Sequence, residues 1–151
     1  MMINYRPMNL LDIPILISLE REIFPESPWS TAQFKEELAG VPRTRHYLVA
    51  EVGGQIVGYA GIALAGDCAD IHNIAVIPQY RGQGIASELM KRLESWAIEH
   101  GASALMLEMR EGNTQALPLY EGRGYRTISR RDNYYAPGIH ALIMRKEVKD
   151  V

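Results

Sequence analysis

Three features of the chain predict an α/β fold (α+β by some conventions), a mixed β-sheet with helices on both faces. Two apolar runs are joined by a glycine pair. A strand leads through a short connector into a glycine-rich helix start and on to another strand. Two further strands follow a short helix near the end. About six or seven strands and about four helices are expected, in one domain covering residues 1–151.

Asn9 can cap a first helix with Asp12 at its third position and Glu20 and Ile23 near its end, before Phe24-Pro25-Glu26-Ser27-Pro28 breaks it. Ser30 and Gln33 form a capping box for the second helix, Trp29 and Phe34 are spaced as a hydrophobic staple, and Gly40 closes it. Strands follow at 46–52 and 55–64, with Gly53-Gly54 between them suited to the positive φ angles of a tight hairpin. A third strand is expected at 70–76. After Gly84, Ile85, Leu89, Leu93 and Trp96 recur with helical period until His100-Gly101. Residues 104–110 read as a strand, and Asn113 caps a short helix ending near 122–124. Final strands at 125–131 and 139–146 are separated by Tyr134-Tyr135-Ala136-Pro137-Gly138.

The composition narrows the function. The 151 residues are 47% apolar and 23% charged, with a net charge of −2, which supplies no field for nucleic acid or an anionic membrane. A single cysteine, Cys68, cannot form an internal disulfide, so a cytoplasmic location is expected. The N-terminus lacks a signal-peptide pattern, and the apolar run near 13–19 is too short to span a bilayer. His46 and His72 have no further ligands at metal-site spacing, so no metal is expected, and Cys68 has no base partner to make it a nucleophile.

The stretch 81–86, Arg-Gly-Gln-Gly-Ile-Ala, opens a helix directly after a strand. Glycines there leave backbone N–H groups accessible at the positive end of the helix dipole, a site for phosphate. A Walker loop needs Lys and then Ser or Thr, whereas Ile85-Ala86 follow Gly84. A dinucleotide loop is a nearer match, with Gly82, Gly84 and Glu108 in suitable order. Ser87 replaces its third small residue, however, the connector 77–81 is too long, and an antiparallel hairpin precedes the unit. A pyrophosphate-bearing acyl carrier is the third reading, and a plain turn the fourth.

The loop has the form Gln/Arg-x-x-Gly-x-Gly/Ala, and in this it resembles the coenzyme A loop of the GNAT acetyltransferases. Glu108, Arg110, Asn113, Ala116, Leu119-Tyr120 and Gly124-Tyr125 extend the resemblance over nearly the whole chain. With Pro28-Trp29-Ser30, Arg131 and Tyr134-Tyr135, they are similar to the RimI-type subgroup, which acetylates protein N-termini, notably a ribosomal protein with N-terminal alanine. The resemblance implies acetyl-CoA as cosubstrate, held by the backbone of Ile74, Ala75 and Val76, by Arg81, Gly82, Gln83, Gly84, Ile85, Ala86 and Ser87 at the pyrophosphate, and by Asn113 near the reactive end. It implies Glu108 as general base, Tyr120 as general acid, and Trp29, Tyr134 and Tyr135 around the acceptor. A protein N-terminus is the implied partner of a monomer or weak dimer.

An α-amine, with a pKa near 8, loses its proton about 2.4 units more readily than lysine, which spares roughly 3 kcal/mol in forming the nucleophile. A carboxylate such as Glu108 suits that acceptor, directly or through water. Strand alternation puts Met106, Glu108 and Arg110 on one face, where Arg110 could hold Glu108 ionised; a plain ion pair on a solvated edge is the competing reading. Tyr120 is a weaker acid than a thiol, so it is read as a hydrogen-bond donor to the departing sulfur, or else as a packing residue of the short helix. Pro118 is expected to kink that helix. Cys68 and His140 depart from the RimI-like pattern and are expected near the acceptor's path. Acetylation of a lysine or a small amine, and a non-catalytic acyl-CoA-binding regulator, stand as alternatives.

Overall fold

Gly53 and Gly54, with φ of +57° and +83°, turn the chain between β2 (Arg45–Val52) and β3 (Gln55–Ala65), as the hairpin signal requires. In the computed structural model, which describes residues 2–148, this hairpin lies within a seven-stranded sheet ordered β1-β2-β3-β4-β5-β7-β6. The other strands are β1 (Asn4–Pro7), β4 (Cys68–Val76), β5 (Ala104–Arg110), β6 (Arg126–Ala136) and β7 (Ile139–Glu147). Only β4 and β5 pair in parallel.

The helices are α1 (Ile13–Ile23), α2 (Thr31–Ala39), α3 (Ile85–Glu99) and α4 (Ala116–Gly122). The expected caps form. Asn9 and Asp12 cap a 3-10 turn ahead of α1, and Ser30 exchanges hydrogen bonds with Gln33 at α2. The Trp29 and Phe34 rings meet edge to face at 5.2 Å. Alternation along the strands sends Leu48, Ala50, Ile71, Leu105 and Leu107 toward α3, where Ile85, Leu89, Met90 and Leu93 complete one core. Tyr47, Val49 and Tyr59 face the opposite way and form a second core with Leu16 of α1 and Phe34 of α2.

Two expectations change. Strand β1 was not foreseen; at four residues ending in Pro7 it is too short to show a period, and Arg6 pins it to Asp12 and Glu51. Tyr134 and Tyr135 lie within β6, not in a loop beside it. Between the pairs Arg131–Ala141 and Ala136–Ile139, β6 carries three more residues than β7, so it bulges there, with Asn133 at φ +55°. Pro118, expected to kink the short helix, sits in the first turn of α4.

The β4–β5 pairing ends after Ile71–Leu107, although both strands continue. Strand β4 stays with β3, and β5 stays with β7 as far as Arg110–Ala141. Strand β4 also takes one extra residue between the pairs Gly61–His72 and Tyr59–Ala75, with Asn73 at φ +50°. Beneath this bulge lies Glu20, fully buried, which accepts from Trp29 N (2.7 Å), Tyr59 Oη (2.6 Å) and Asn73 Nδ2 (3.4 Å). Burial pushes its pKa up while those donors pull it down, and the rise prevails.

Gly61 is fitted to its neighbour: a Cβ there would stand 2.0 Å from the Tyr47 ring. Gly61→Ala is expected to lower stability by about 1–3 kcal/mol through overpacking. Urea unfolding should show a lower midpoint with an unchanged slope.

Candidate active site

Where β4 and β5 part, a cleft of about 1790 Å³ opens. That exceeds the few hundred to about 1,000 Å³ of an ordinary small-ligand pocket and leaves room for a long donor and an acceptor together.

One end of the cleft is the glycine loop. Gly82 and Gly84 adopt φ of +79° and +82°, and a Cβ at either would project into open space. Gly84 is the N-cap of α3, and no side chain caps it, so the first-turn amides remain available to a ligand. Gly82, Gly84, Ile85, Ala86 and Ser87 line the cleft, whereas the exposed Gln83 does not. Arg81 lines it too and donates from Nε to Val76 O at 3.0 Å, tying the loop to the end of β4. Ile74, Ala75 and Val76 form the adjoining wall. This cradle fits a pyrophosphate, because its donors are backbone amides that the glycines leave uncovered.

Asn113, Glu108 and Tyr120 line the cleft as well. Asn113 Oδ1 accepts from Ala116 N at 3.1 Å, which caps the turn entering α4 and so sets the position of Tyr120. Tyr120 is buried, lines the cleft, and its hydroxyl has no partner among the described residues. Burial pushes its pKa up to about 12. The Glu108 side chain opens onto the cleft, and its pKa is raised by desolvation and by Asp70, with Arg131 opposing. The expected support from Arg110 is absent. Arg110 instead donates to Glu26 at 2.7 Å, across 84 residues of chain, and its guanidinium lies over the Tyr135 ring at 5.6 Å.

Trp29, Tyr134 and Tyr135 also line the cleft. The two tyrosines meet edge to face at 5.0 Å, and Arg131 lies 4.6 Å over Tyr134. Cys68 and His140, expected near the acceptor's path, do not line the cleft. Cys68 lies at the start of β4 with its sulfur 3.8 Å from Arg145, while His140 Nδ1 accepts from Asn133 N at 2.9 Å and holds the β6 bulge. Sequence reasoning missed Glu20, Asp70 and His72 as parts of this region. An acid buried at the end of an amphipathic helix was the only available signal for Glu20, and nothing local distinguished the other two. Among the described residues no three His, Cys, Asp or Glu side chains are grouped to hold a metal, and no helix is long and apolar enough to cross a membrane.

Comparison with known proteins gives a consistent result. A profile described as the acetyltransferase (GNAT) family matches residues 13–125. The chain is 40% identical over 140 residues to a Bacillus subtilis protein named as a ribosomal protein bS18-alanine N-acetyltransferase, covering 92% of this chain and 91% of that one. It is 37% identical over 138 residues to the N-alpha-acetyltransferase RimI of Mycobacterium tuberculosis, covering 87% and 84% respectively. The crystal structure of the ribosomal-protein-S18-alanine N-acetyltransferase from Escherichia coli superposes with a TM-score of 0.83 at 27% identity, over 97% of this chain and 94% of that one.

A side chain at Gly84 would be strained in the left-handed region by about 1–3 kcal/mol, and relaxation would turn the loop amides away. Gly84→Val is therefore expected to weaken acetyl-CoA binding at least tenfold in calorimetric titration.

Proposed function

The chain belongs to the acetyltransferase (GNAT) family, enzymes that take their acetyl group from acetyl-CoA, and we propose that it acetylates a protein N-terminal α-amine, with a ribosomal protein bearing N-terminal alanine as the leading acceptor. The observation that carries this reading is the joining, in one cleft between parted strands, of an amide cradle for pyrophosphate and a carboxylate flanked by aromatic side chains. The similarity to proteins named as alanine N-acetyltransferases supports the choice of acceptor.

In this reading transfer is direct, within a ternary complex. The amides at 82–87 hold the pyrophosphate, the backbone of 74–76 aligns the pantetheine arm, and Asn113 contacts it near the thioester. Trp29, Tyr134 and Tyr135 admit an extended N-terminus and exclude water around it. Glu108, directly or through a water, accepts a proton as the amine attacks. Its raised pKa makes it a better base than an ordinary carboxylate.

Tyr120, with a pKa near 12, is about 3.5 units weaker an acid than a thiol, so complete proton transfer to the leaving sulfur would be uphill by about 5 kcal/mol. Its unpartnered hydroxyl acts as a hydrogen-bond donor to the sulfur as negative charge develops.

Acetyl-CoA mixed with a panel of N-terminal peptides should release free thiol and add one acetyl mass at the N-terminus; modification of internal lysines alone would overturn the acceptor assignment. Glu108→Gln should reduce kcat/KM by about a hundredfold at neutral pH. For wild type the acidic limb should lie above the ordinary carboxylate range, because activity falls as Glu108 takes up its proton. Tyr120→Phe should slow turnover about tenfold or more with the acetyl-CoA dissociation constant nearly unchanged.

A further inference from the structure

An α-ammonium that becomes an amide gives up two protons, one ending on the coenzyme A sulfur and one in solvent. Glu108 accounts for one of these transfers. A second group on the wall of the same cleft can accept the other.

The sheet register lines up three residues from neighbouring strands in one row. Tyr47 of β2 pairs with Gly61 of β3, and Gly61 pairs with His72 of β4. Glu108 of β5 stands one position past the last β4–β5 pair, Ile71–Leu107, on the strand that has parted from β4 there. Gly61 has no side chain, and the Tyr47 ring occupies the space that a Cβ would take. The ring thus crosses β3, and its hydroxyl reaches His72 Nδ1 at 2.8 Å. The same hydroxyl lies 3.0 Å from Glu37 Oε1 of α2, which also accepts from Arg45 Nε at 2.6 Å.

This arrangement selects a tautomer. Tyr47 has one proton, and the carboxylate of Glu37 is the stronger acceptor for it. His72 Nδ1 must then carry a proton and donate it to the Tyr47 oxygen, leaving the lone pair on Nε2. His72 lines the cleft and stacks obliquely on Trp29, with ring centroids 5.8 Å apart. Nε2 has no partner among the described residues.

We propose that His72 Nε2 accepts the first proton from the acceptor α-ammonium, with Tyr47 and Glu37 fixing the ring's tautomer and supporting the imidazolium that forms. This rests on the α-amine reading above. An N–H bond of the ammonium breaks, and its proton passes to Nε2. The freed lone pair forms the N–C bond at the thioester carbon, and the second proton passes to Glu108. The C–S bond then breaks with its electron pair on sulfur, beside the Tyr120 hydroxyl. The thiolate receives the Glu108 proton through cleft water, and the imidazolium returns its proton to solvent.

The charges around His72 agree with such a role. Burial lowers its pKa, Glu37 and Asp70 raise it, Arg45 lowers it, and the net result is below the ordinary imidazole value. Burial favours the neutral ring, and the carboxylates of Glu37 and Asp70 stand ready to steady its charged form.

Nitrogen NMR of the histidine-labelled wild-type enzyme with coenzyme A should show a neutral His72 ring protonated on Nδ1 at pH 7; protonation on Nε2 would overturn the proposal. His72→Gln should lower kcat about a hundredfold at pH 7, with acetyl-CoA affinity and thermal midpoint unchanged. That deficit should close as pH passes about 8. A constant deficit at every pH, or none, would overturn the role. Tyr47→Phe should lose about tenfold with the same pH trend. If mass analysis finds lysine acetylated instead of the N-terminus, the acceptor assignment fails, and the same pH comparison on that lysine peptide still decides for or against His72.

Discussion

The parting of β4 from β5 after four parallel pairs is the constraint on which the rest of the molecule depends. A continuous sheet would satisfy its own backbone groups and leave no place for a ligand. Here each strand keeps its outer neighbour and gives up the inner one, so the backbone of 74–76 is presented to a cleft. The β4 bulge marks this departure, and Glu20 holds it. One buried carboxylate gathers donors from the segment before α2, from β3 and from β4. An uncompensated carboxylate at that depth would cost several kcal/mol, so those three donors are bound to it as firmly as it is to them.

Two parts of the cleft work by different physics. At the α3 end the charge comes from backbone dipoles, which need no ionisable side chain and so do not titrate. Elsewhere on its wall, Asp70 and Glu108 bring carboxylates to the cleft. Arg110, drawn to Glu26 and stacked over Tyr135, links the segment before α2 to the bulged β6. Desolvation moves Glu108 and Tyr120 upward, which strengthens the first as a base and keeps the second neutral.

Much of this was legible in the chain. The two helix caps, the glycine hairpin and the glycine-rich start of α3 are local chemistry, in which a backbone geometry demands a residue type within three or four positions. Those elements therefore stand where the sequence puts them. Asn113, likewise, caps the turn that the sequence assigned to it. The cleft gathers Trp29, Glu108, Tyr120, Tyr134 and Tyr135 because each is displayed by an element that periodicity or resemblance could place.

What sequence alone determined, then, was the order of the elements after β1, the glycine-rich start of α3 and the family, since these rest on short-range rules of backbone conformation and spacing. Tertiary structure decided the partners. Arg110 sits two positions from Glu108 on the same strand face, yet it pairs with Glu26, because the β5 end meets the segment between α1 and α2 in space. Glu20 is an ordinary acid in the chain and becomes a buried anchor only when three distant segments converge on it. Tyr47, Gly61 and His72 carry no mutual signal, being set side by side by sheet register alone. Long-range pairing depends on which strands lie next to each other, and that is settled only when the whole sheet assembles.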